Sequence, residues 1–184
     1  MEIVFENYSI APIQPKDAWR LCDFVVSNEA YLKTYFPETL KENLTPTLAD
    51  LFVAKKAKQF DKKQEYLFIA KENTNRTIIG LVYIKSLHKE KGQGELAYCM
   101  GYQYSGKGLM SRIVQELIQW SFATAGLIRL QIIVHKNNGP SIKIAEKHDF
   151  QYVGILENEH RMPNGNLVDM LLYELNKSDF LKSP

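Results

Sequence analysis

The sequence predicts a mixed α/β (α+β) fold in a single domain spanning residues 1–184, and three observations lead to this prediction. The chain has 184 residues, of which 45% are hydrophobic, and this is the size and apolar content of one packed domain. Its periodic segments follow the order strand, helices, three strands, helix, strand, helix, two strands, which is not the regular alternation of a doubly wound sheet. The pair Asn164-Gly165 lies between two strand-like segments and indicates a hairpin.

The N-terminal third is predicted to be mainly helical after one strand. Residues 2–12 form that first strand. The spacing of apolar residues predicts a helix from Pro15 to Val26 and a short second helix over residues 28–35. Thr45-Pro46 predicts the start of a third helix, which is expected to end near residue 63, because threonine caps helices and proline suits their first turn.

Three strands are expected in the middle of the chain, where β-branched and aromatic residues are frequent. They cover residues 66–70, 77–84 and 92–102, with a turn at Asn73-Thr74-Asn75-Arg76.

The strongest helical pattern covers residues 106–123. Its predicted buried face consists of Met110, Ile113, Val114, Leu117, Ile118 and Ser121, and its predicted exposed face of Ser111, Arg112, Gln115, Glu116 and Gln119. A strand over 128–134, a helix over 138–148 and the final hairpin, which ends near Leu175, complete the chain.

Composition excludes several classes of protein. A net charge of +2 with scattered basic residues gives no reason to expect a nucleic-acid partner. The apolar runs are too short for a membrane span, and no signal peptide is evident. Two cysteines, Cys22 and Cys99, cannot form a disulfide framework, so a reducing cytoplasm is expected, with Cys99 as a buried thiol. His135 and His148 lack metal-ligand spacing, so no metal is expected.

The segment Gln103-Tyr104-Ser105-Gly106-Lys107-Gly108 lies between a predicted strand and the long helix. Glycines allow the backbone to approach a ligand, and the first N–H groups of a helix favour an anion such as a pyrophosphate. Lys107 adds a positive charge. The alternative is that both glycines only shape a tight turn.

A second phosphate-binding motif is excluded by one residue. Gly101-x-x-x-x-Gly106-Lys107 resembles the P-loop of nucleotide hydrolases, but Gly108 stands where that motif needs a serine or threonine to bind magnesium. No ATP hydrolysis is therefore expected.

Several motifs together resemble the GNAT acetyltransferase superfamily. Gln-x-x-Gly-x-Gly after a strand matches its motif A, and the stretch from Glu95 to Ser111 is similar to the branch that acetylates ribosomal-protein N-termini. Asn138-Gly139-Pro140-Ser141, Glu146-Lys147-His148-Asp149-Phe150 and the hairpin with Asp169 follow in the family's order. The resemblance is best from Ile79 to Leu175. It implies a mixed, splayed, mostly antiparallel sheet flanked by helices.

The resemblance also implies acetyl-CoA as co-substrate. Its pantetheine arm is expected to contact the main chain of Met100, Gly101 and Tyr102, and its pyrophosphate to lie on residues 103–108, with Leu109 and Met110 at the helix start. Asn138 is expected either to bond the pantetheine or to cap its own helix. The coenzyme-binding residues predicted in this way are Met100, Gly101, Tyr102, Gln103, Ser105, Gly106, Lys107, Gly108, Leu109, Met110, Asn138 and Ser141.

Acetyl transfer to an amine needs a base and an acid, and the resemblance offers candidates. Glu95 is the first candidate base, acting through water, or it is a structural carboxylate. Ser141 is the candidate acid near the coenzyme sulfur, or it makes only a local hydrogen bond. Ala145 replaces the tyrosine acid of many relatives. His160, or its neighbour Glu159, is a further candidate base that ranks below Glu95.

Asp149 replaces the glycine that the family usually has before the phenylalanine. Aspartate tolerates left-handed φ better than most residues, so the helix end is expected to survive.

Three functions remain open at this point. The first is acetylation of a protein or peptide N-terminal α-amine, possibly on a ribosomal protein, with Tyr31, Tyr35 and Phe36 forming an acceptor slot. These aromatics could instead simply pack a helix onto the sheet. The second is acetylation of a polyamine or aminoglycoside, and the third is a non-catalytic coenzyme-binding module. A homodimer is also compatible with the resemblance.

Overall fold

A computed structural model describes residues 2–5 and 7–182. The strands are β1 (Ile3–Phe5), β2 (Tyr8–Pro12), β3 (Tyr66–Glu72), β4 (Ile78–His88), β5 (Gln93–Met100), β6 (Arg129–Val134), β7 (Gln151–Arg161) and β8 (Leu167–Asn176). The helices are α1 (Ala18–Ser27), α2 (Glu29–Tyr35), α3 (Pro37–Lys41), α4 (Pro46–Asp61), α5 (Leu109–Ala123), α6 (Gly139–Lys147) and α7 (Lys177–Phe180).

The strands form one mixed sheet in the order β1-β2-β3-β4-β5-β6-β8-β7. The pairs β1/β2, β2/β3, β6/β8 and β7/β8 are antiparallel, whereas β5 and β6 are parallel. The parallel pairing runs from Gln93 opposite Arg129 to Glu95 opposite Gln131. The prediction of a mixed, mostly antiparallel sheet flanked by helices is confirmed.

The chain divides into two compact units that are not continuous in sequence. The first contains residues 1–83 and 98–113, and the second contains residues 84–97 and 114–184. Strands β4 and β5 and helix α5 each run from one unit into the other. The single domain predicted for residues 1–184 stays a prediction.

The core of the first unit combines fully buried β3 residues with the apolar faces of α1 and α4. Leu67, Phe68 and Ile69 have no exposed surface, and Val25 and Val53 are equally buried. An ion pair lies in the same interior, where Lys71 Nζ is 3.0 Å from Asp17 Oδ1. Both charges are buried, so neither partner can be removed without leaving the other uncompensated.

The core of the second unit lies where β6, β8 and the later turns of α5 bury their apolar residues. Leu117 and Ile118 of α5, Leu130 of β6 and Leu175 of β8 are all fully or almost fully buried. The final hairpin turns at Asn164-Gly165 as predicted, and Gly165 has φ +87°. Within the described part of the chain, no helix has the length and apolar character that crossing a membrane requires.

Two predictions about elements are wrong. Residues 2–12 form two strands, β1 and β2, because the chain reverses between Phe5 and its partner Tyr8. Ser111 was expected on the exposed face of α5 but is only 7% exposed. At 100° per residue it lies one step round the helix from Met110 and next to Ile118, at the margin of the apolar face. The short helices α3 and α7 were not predicted.

The end of α6 forms as expected despite the aspartate. Asp149 has φ +61°. Its N–H donates to the Glu146 carbonyl at 3.2 Å, and the Phe150 N–H donates to the Ala145 carbonyl at 3.0 Å. This pair of bonds is the Schellman arrangement, in which the left-handed residue satisfies the last carbonyls of the helix.

Candidate functional site

The glycine loop, residues Gly101–Gly108, joins β5 to α5 in the first unit. The Gly101 N–H donates to the Ile79 carbonyl at 2.8 Å, and the Tyr104 N–H returns to the Gly101 carbonyl at 2.9 Å. Ser105 adds a second bond from its hydroxyl to the same carbonyl at 3.4 Å. These bonds fold residues 102–104 into one 3-10 turn and leave Ser105–Gly108 to lead into the helix.

Gly106 and Gly108 give the loop its special backbone. Their φ angles are +76° and +75°, a region that side-chain-bearing residues rarely adopt. A Cβ placed on either glycine would meet nothing within 4 Å, so the glycines are required by conformation and not by crowding. The open space beside this backbone suits a ligand.

The start of α5 supplies hydrogen-bond donors beside that space. Gly108 is the helix N-cap, since its carbonyl accepts the Arg112 N–H at 3.2 Å. The N–H groups of the first helical turn therefore precede the first i→i−4 hydrogen bond of the helix. The helix dipole also favours an anion at this end. The exposed Lys107 adds positive charge, with its Nζ 5.7 Å from the Tyr104 ring centroid. The residues present fit a pyrophosphate group.

Main-chain groups before this turn are already engaged. In addition to the Gly101 bond, the Tyr102 N–H donates to Asn28 Oδ1 at 3.1 Å. Sequence reasoning did not find Asn28, because nothing local signals a contact across 74 positions. The Gly101 and Tyr102 carbonyls also accept bonds within the turn, so the predicted contacts of this stretch with a pantetheine arm stay a prediction.

The three acceptor-side aromatics occupy different environments in the first unit, where Tyr35 is half-buried. Tyr31 is 45% exposed. Desolvation, with smaller effects from Cys99 and Tyr35, raises the pKa of its hydroxyl. Phe36 stacks on Tyr83 of β4, with ring centroids 6.2 Å apart. Phe36 therefore makes the packing contact that sequence reasoning gave as the alternative to a substrate role, whereas Tyr31 is available to a ligand.

Tyr83 and Cys99 are two buried titratable groups of the first unit. The Tyr83 hydroxyl and Thr39 Oγ1 are 2.9 Å apart, and burial raises the pKa of this tyrosine despite that hydrogen bond. Cys99 is 2% exposed, and burial raises its pKa to about 12, partly offset by a hydrogen bond to the Leu81 backbone. The prediction that Cys99 is a buried thiol is confirmed.

Glu95 lies on β5 in the second unit and is held by two neighbours. Its Oε1 is 3.0 Å from Lys85 Nζ, and its Oε2 accepts a hydrogen bond from Ser86 Oγ at 3.2 Å. The Glu95 side chain is 13% exposed and the Lys85 side chain 42% exposed. Both roles considered for this carboxylate, the base and the structural ion pair, are compatible with these contacts.

Asn138 and Ser141 meet at the start of α6. Asn138 Oδ1 accepts the Ser141 N–H at 3.3 Å, so Asn138 caps its own helix. Ser141 is half-buried in the first turn. The N-cap bond fixes the backbone of the turn that carries Ser141.

The remaining base candidates lie on the final hairpin. His160 is half-buried on β7 opposite Val168, while Glu159 is exposed. The register shifts between Leu156 and His160, where Asn158 has φ +54° and its N–H donates to Asp169 Oδ1 at 2.9 Å. Among residues 2–5 and 7–182 no group of three histidine, cysteine or acidic side chains is placed to hold a metal ion.

Sequence comparison places the chain among acetyltransferases. Residues 9–151 match the family described as the acetyltransferase (GNAT) domain. The N-acetyltransferase p20 of Bacillus licheniformis is 26% identical, over 98% of this chain and 99% of the relative. YdaF of Bacillus subtilis, named as a candidate ribosomal N-acetyltransferase, is 24% identical over 96% and 95%. The spermidine N(1)-acetyltransferase of Escherichia coli is 24% identical over 83% and 77%.

Solved structures share the fold. The ribosomal-protein-S5-alanine acetyltransferase of Vibrio fischeri superposes with a TM-score of 0.91 at 22% identity, over 100% of both chains. RimL, a ribosomal L7/L12 α-N-protein acetyltransferase solved with coenzyme A, has a TM-score of 0.86 at 15% identity, covering 96% of this chain and 98% of its own. The family match confirms the expectation of an N-acetyltransferase with acetyl-CoA as its co-substrate. Since the match spans most of its length, this chain belongs to the GNAT acetyltransferase family.

Proposed function

We propose that this enzyme acetylates the N-terminal α-amine of a protein or peptide, binding acetyl-CoA at the glycine loop. The observation that carries the coenzyme site is the pair of open, positive-φ glycines at the start of α5. The α-amine proposal is supported by the names of YdaF and the Vibrio fischeri enzyme and by the exposed Tyr31. A ribosomal protein is the acceptor that these names favour.

Acetyl-CoA supplies an acetyl group activated as a thioester, and transfer forms a C–N bond and breaks a C–S bond. The chain must take one proton from the attacking amine and return one to the sulfur. We assign the first task to Glu95 through water, with His160 as the second candidate, and the second task to Ser141. An α-amine has an ordinary pKa of about 8, so a modest base is sufficient.

The coenzyme site is tested by Gly108→Glu. A carboxylate beside the helix start would repel the pyrophosphate, and calorimetry with coenzyme A is expected to show binding weakened by more than tenfold. Gly126→Glu is the matched control, because Gly126 has the same φ of +75° and the same open surroundings. It follows the other end of α5, about 20 Å along the helix axis. Equal losses in both variants would contradict the assignment.

The acceptor is tested with a panel of peptides that begin with serine, alanine, threonine and methionine, run beside spermidine and an aminoglycoside. We expect turnover with a peptide whose first residue is small. The polyamine is the second candidate because of the similarity to the Escherichia coli spermidine enzyme. Acetylation of spermidine or of the drug, with every peptide untouched, would refute the α-amine proposal.

A further inference from the structure

Asn28 lies where α1 ends and α2 begins. Its N–H donates to the Val25 carbonyl at 3.2 Å, and its own carbonyl accepts the N–H groups of Tyr31 at 3.1 Å and Leu32 at 3.0 Å. The backbone of one residue thus closes the first helix and starts the helix that carries Tyr31 and Tyr35.

The side chain of Asn28 is used differently from that of most asparagines at this position. An N-cap asparagine normally accepts an N–H from the first turn of its own helix, but this one makes no such bond. Its Oδ1 accepts the Tyr102 N–H at 3.1 Å, and its Nδ2 donates to the Phe24 carbonyl at 2.8 Å. Both polar atoms therefore link the helix junction to other segments.

The glycine loop begins against this junction. Next to Tyr102, a Cβ on Gly101 would lie 3.4 Å from Cε2 of Phe24, which is an ordinary van der Waals distance. The Gly101 N–H is meanwhile bound to the Ile79 carbonyl of β4. The start of the loop is consequently held by β4 and by Asn28, and the Asn28 contact also reaches the N-cap of α2.

We propose that Asn28 is a positioning residue that couples the coenzyme loop to the acceptor-side helix α2. When coenzyme A fixes the main chain of residues 100–102, the Tyr102–Asn28 bond transmits this order to the N-cap of α2 and thus to Tyr31 and Tyr35. Coupling is reciprocal, so ordering of α2 by an acceptor must favour coenzyme binding equally. The proposal rests on the coenzyme site assigned above.

Asn28→Ala removes both side-chain bonds. Because one hydrogen bond contributes about 0.5–1.5 kcal/mol, coenzyme A affinity measured by calorimetry is expected to fall about three- to tenfold. Amide hydrogen exchange gives the second measurement. In the natural protein, coenzyme A is expected to slow exchange in residues 29–35, and in Asn28→Ala this protection is expected to disappear.

Two further variants separate coupling from a merely structural role. Asn28→Asp keeps an oxygen for the Tyr102 N–H and loses the donor to Phe24, so the protection of residues 29–35 is expected to survive. Its affinity is compared with the others at 1 M salt, where charges are screened beyond about 3 Å. Asn75→Ala removes a comparable bond, in which Asn75 Oδ1 accepts the Thr77 N–H at 2.9 Å, and is expected to bind coenzyme A normally.

The results of these experiments distinguish failure of the coupling role of Asn28 from failure of the coenzyme-site assignment. If the natural protein does not bind coenzyme A, both are wrong. If it binds, and Gly108→Glu abolishes binding while Asn28→Ala keeps full affinity and protection, only the coupling role is overturned. Loss of protection in Asn28→Ala and Asn28→Asp alike would also overturn it, because the Tyr102 bond would then not be the link.

Discussion

At the scale of single residues, the contacts of Glu95 are compatible with two roles, a structural carboxylate and a general base. A carboxylate that pairs with Lys85 and accepts from Ser86 is well satisfied as a structural group. The same contacts also keep the carboxylate in one orientation, as a general base requires. The two roles predict different changes in kcat when the Glu95 carboxylate is removed and when Lys85 is removed.

Glu95→Gln is expected to lower kcat by about 10²-fold or more if Glu95 is the base, since positioned bases contribute about 10²–10⁴-fold. Lys85→Met breaks the same ion pair but keeps the carboxylate. Because Lys85 is partly exposed, this change should cost at most about 1 kcal/mol of stability, and because Ser86 still holds the carboxylate, it should lower kcat less than Glu95→Gln does. Steady-state kinetics of both variants with a peptide acceptor decides the matter. Equal losses in the two variants would show that the ion pair matters and that the base lies elsewhere.

The buried Cys99 thiol makes the free energy of unfolding fall as the pH rises through the alkaline range. Its folded-state pKa of about 12 lies above the ordinary 9.0, so the unfolded chain loses the thiol proton first. The contribution of this thiol to stability is therefore complete below pH 9 and lost between about pH 9 and 12. We expect the difference in unfolding free energy between the natural protein and Cys99→Ala to shrink from pH 8 to pH 10.5 in urea titrations. Parallel pH curves for the two proteins would be inconsistent with this thiol as the cause.

Backbone conformations that depend on local chemistry could be predicted from the sequence. Gly106 and Gly108 lie between a strand and a helix, and both adopt the left-handed backbone that glycine allows, while the anion site at this loop stays a prediction. Asn28 could not be found this way, because its partner Tyr102 is brought to it only by folding. The ion pair between Lys71 and Asp17 could not be predicted from the sequence for the same reason.

At the scale of elements, capping residues predicted where an element begins more reliably than apolar periodicity did. Thr45 caps α4 as predicted, with its Oγ1 accepting the Leu48 N–H at 3.3 Å. The alternation over residues 2–12 carries no comparable signal, since β1 and β2 have the same strand-like composition on both sides of their turn. Helix α3 spans only the five residues Pro37–Lys41, too few for a periodic pattern to predict it.

The end of α6 offers a test of cap chemistry. Asp149 occupies left-handed backbone, where glycine is free of the steric cost of a Cβ. Asp149→Gly is expected to raise the unfolding free energy by about 0.5 kcal/mol, which corresponds to a Tm rise of about 1–2 °C. Asp149→Ala keeps the Cβ and loses the carboxylate, so its Tm is expected to fall. Calorimetry on both variants would contradict this account if their shifts had the same sign.

At the scale of the whole molecule, the two compact units share strands and a helix. Neither unit is a continuous stretch of chain, because residues 84–97 interrupt the first and residues 98–113 interrupt the second. Strands β4 and β5 and helix α5 each have residues in both units. We therefore expect residues 1–184 to behave as one cooperative domain.

The two tryptophans allow this expectation to be measured, because Trp19 belongs to the first unit and Trp120 to the second. Variants Trp120→Phe and Trp19→Phe each leave one fluorescent reporter, and their urea transitions are expected to coincide. Asp17→Ala leaves Lys71 as an uncompensated buried charge in the first unit and should cost about 3–5 kcal/mol. If the chain is one domain, this substitution lowers the midpoint reported by Trp120 as much as that reported by Trp19. If Asp17→Ala leaves the midpoint reported by Trp120 unchanged, the two units unfold independently and the one-domain expectation is wrong.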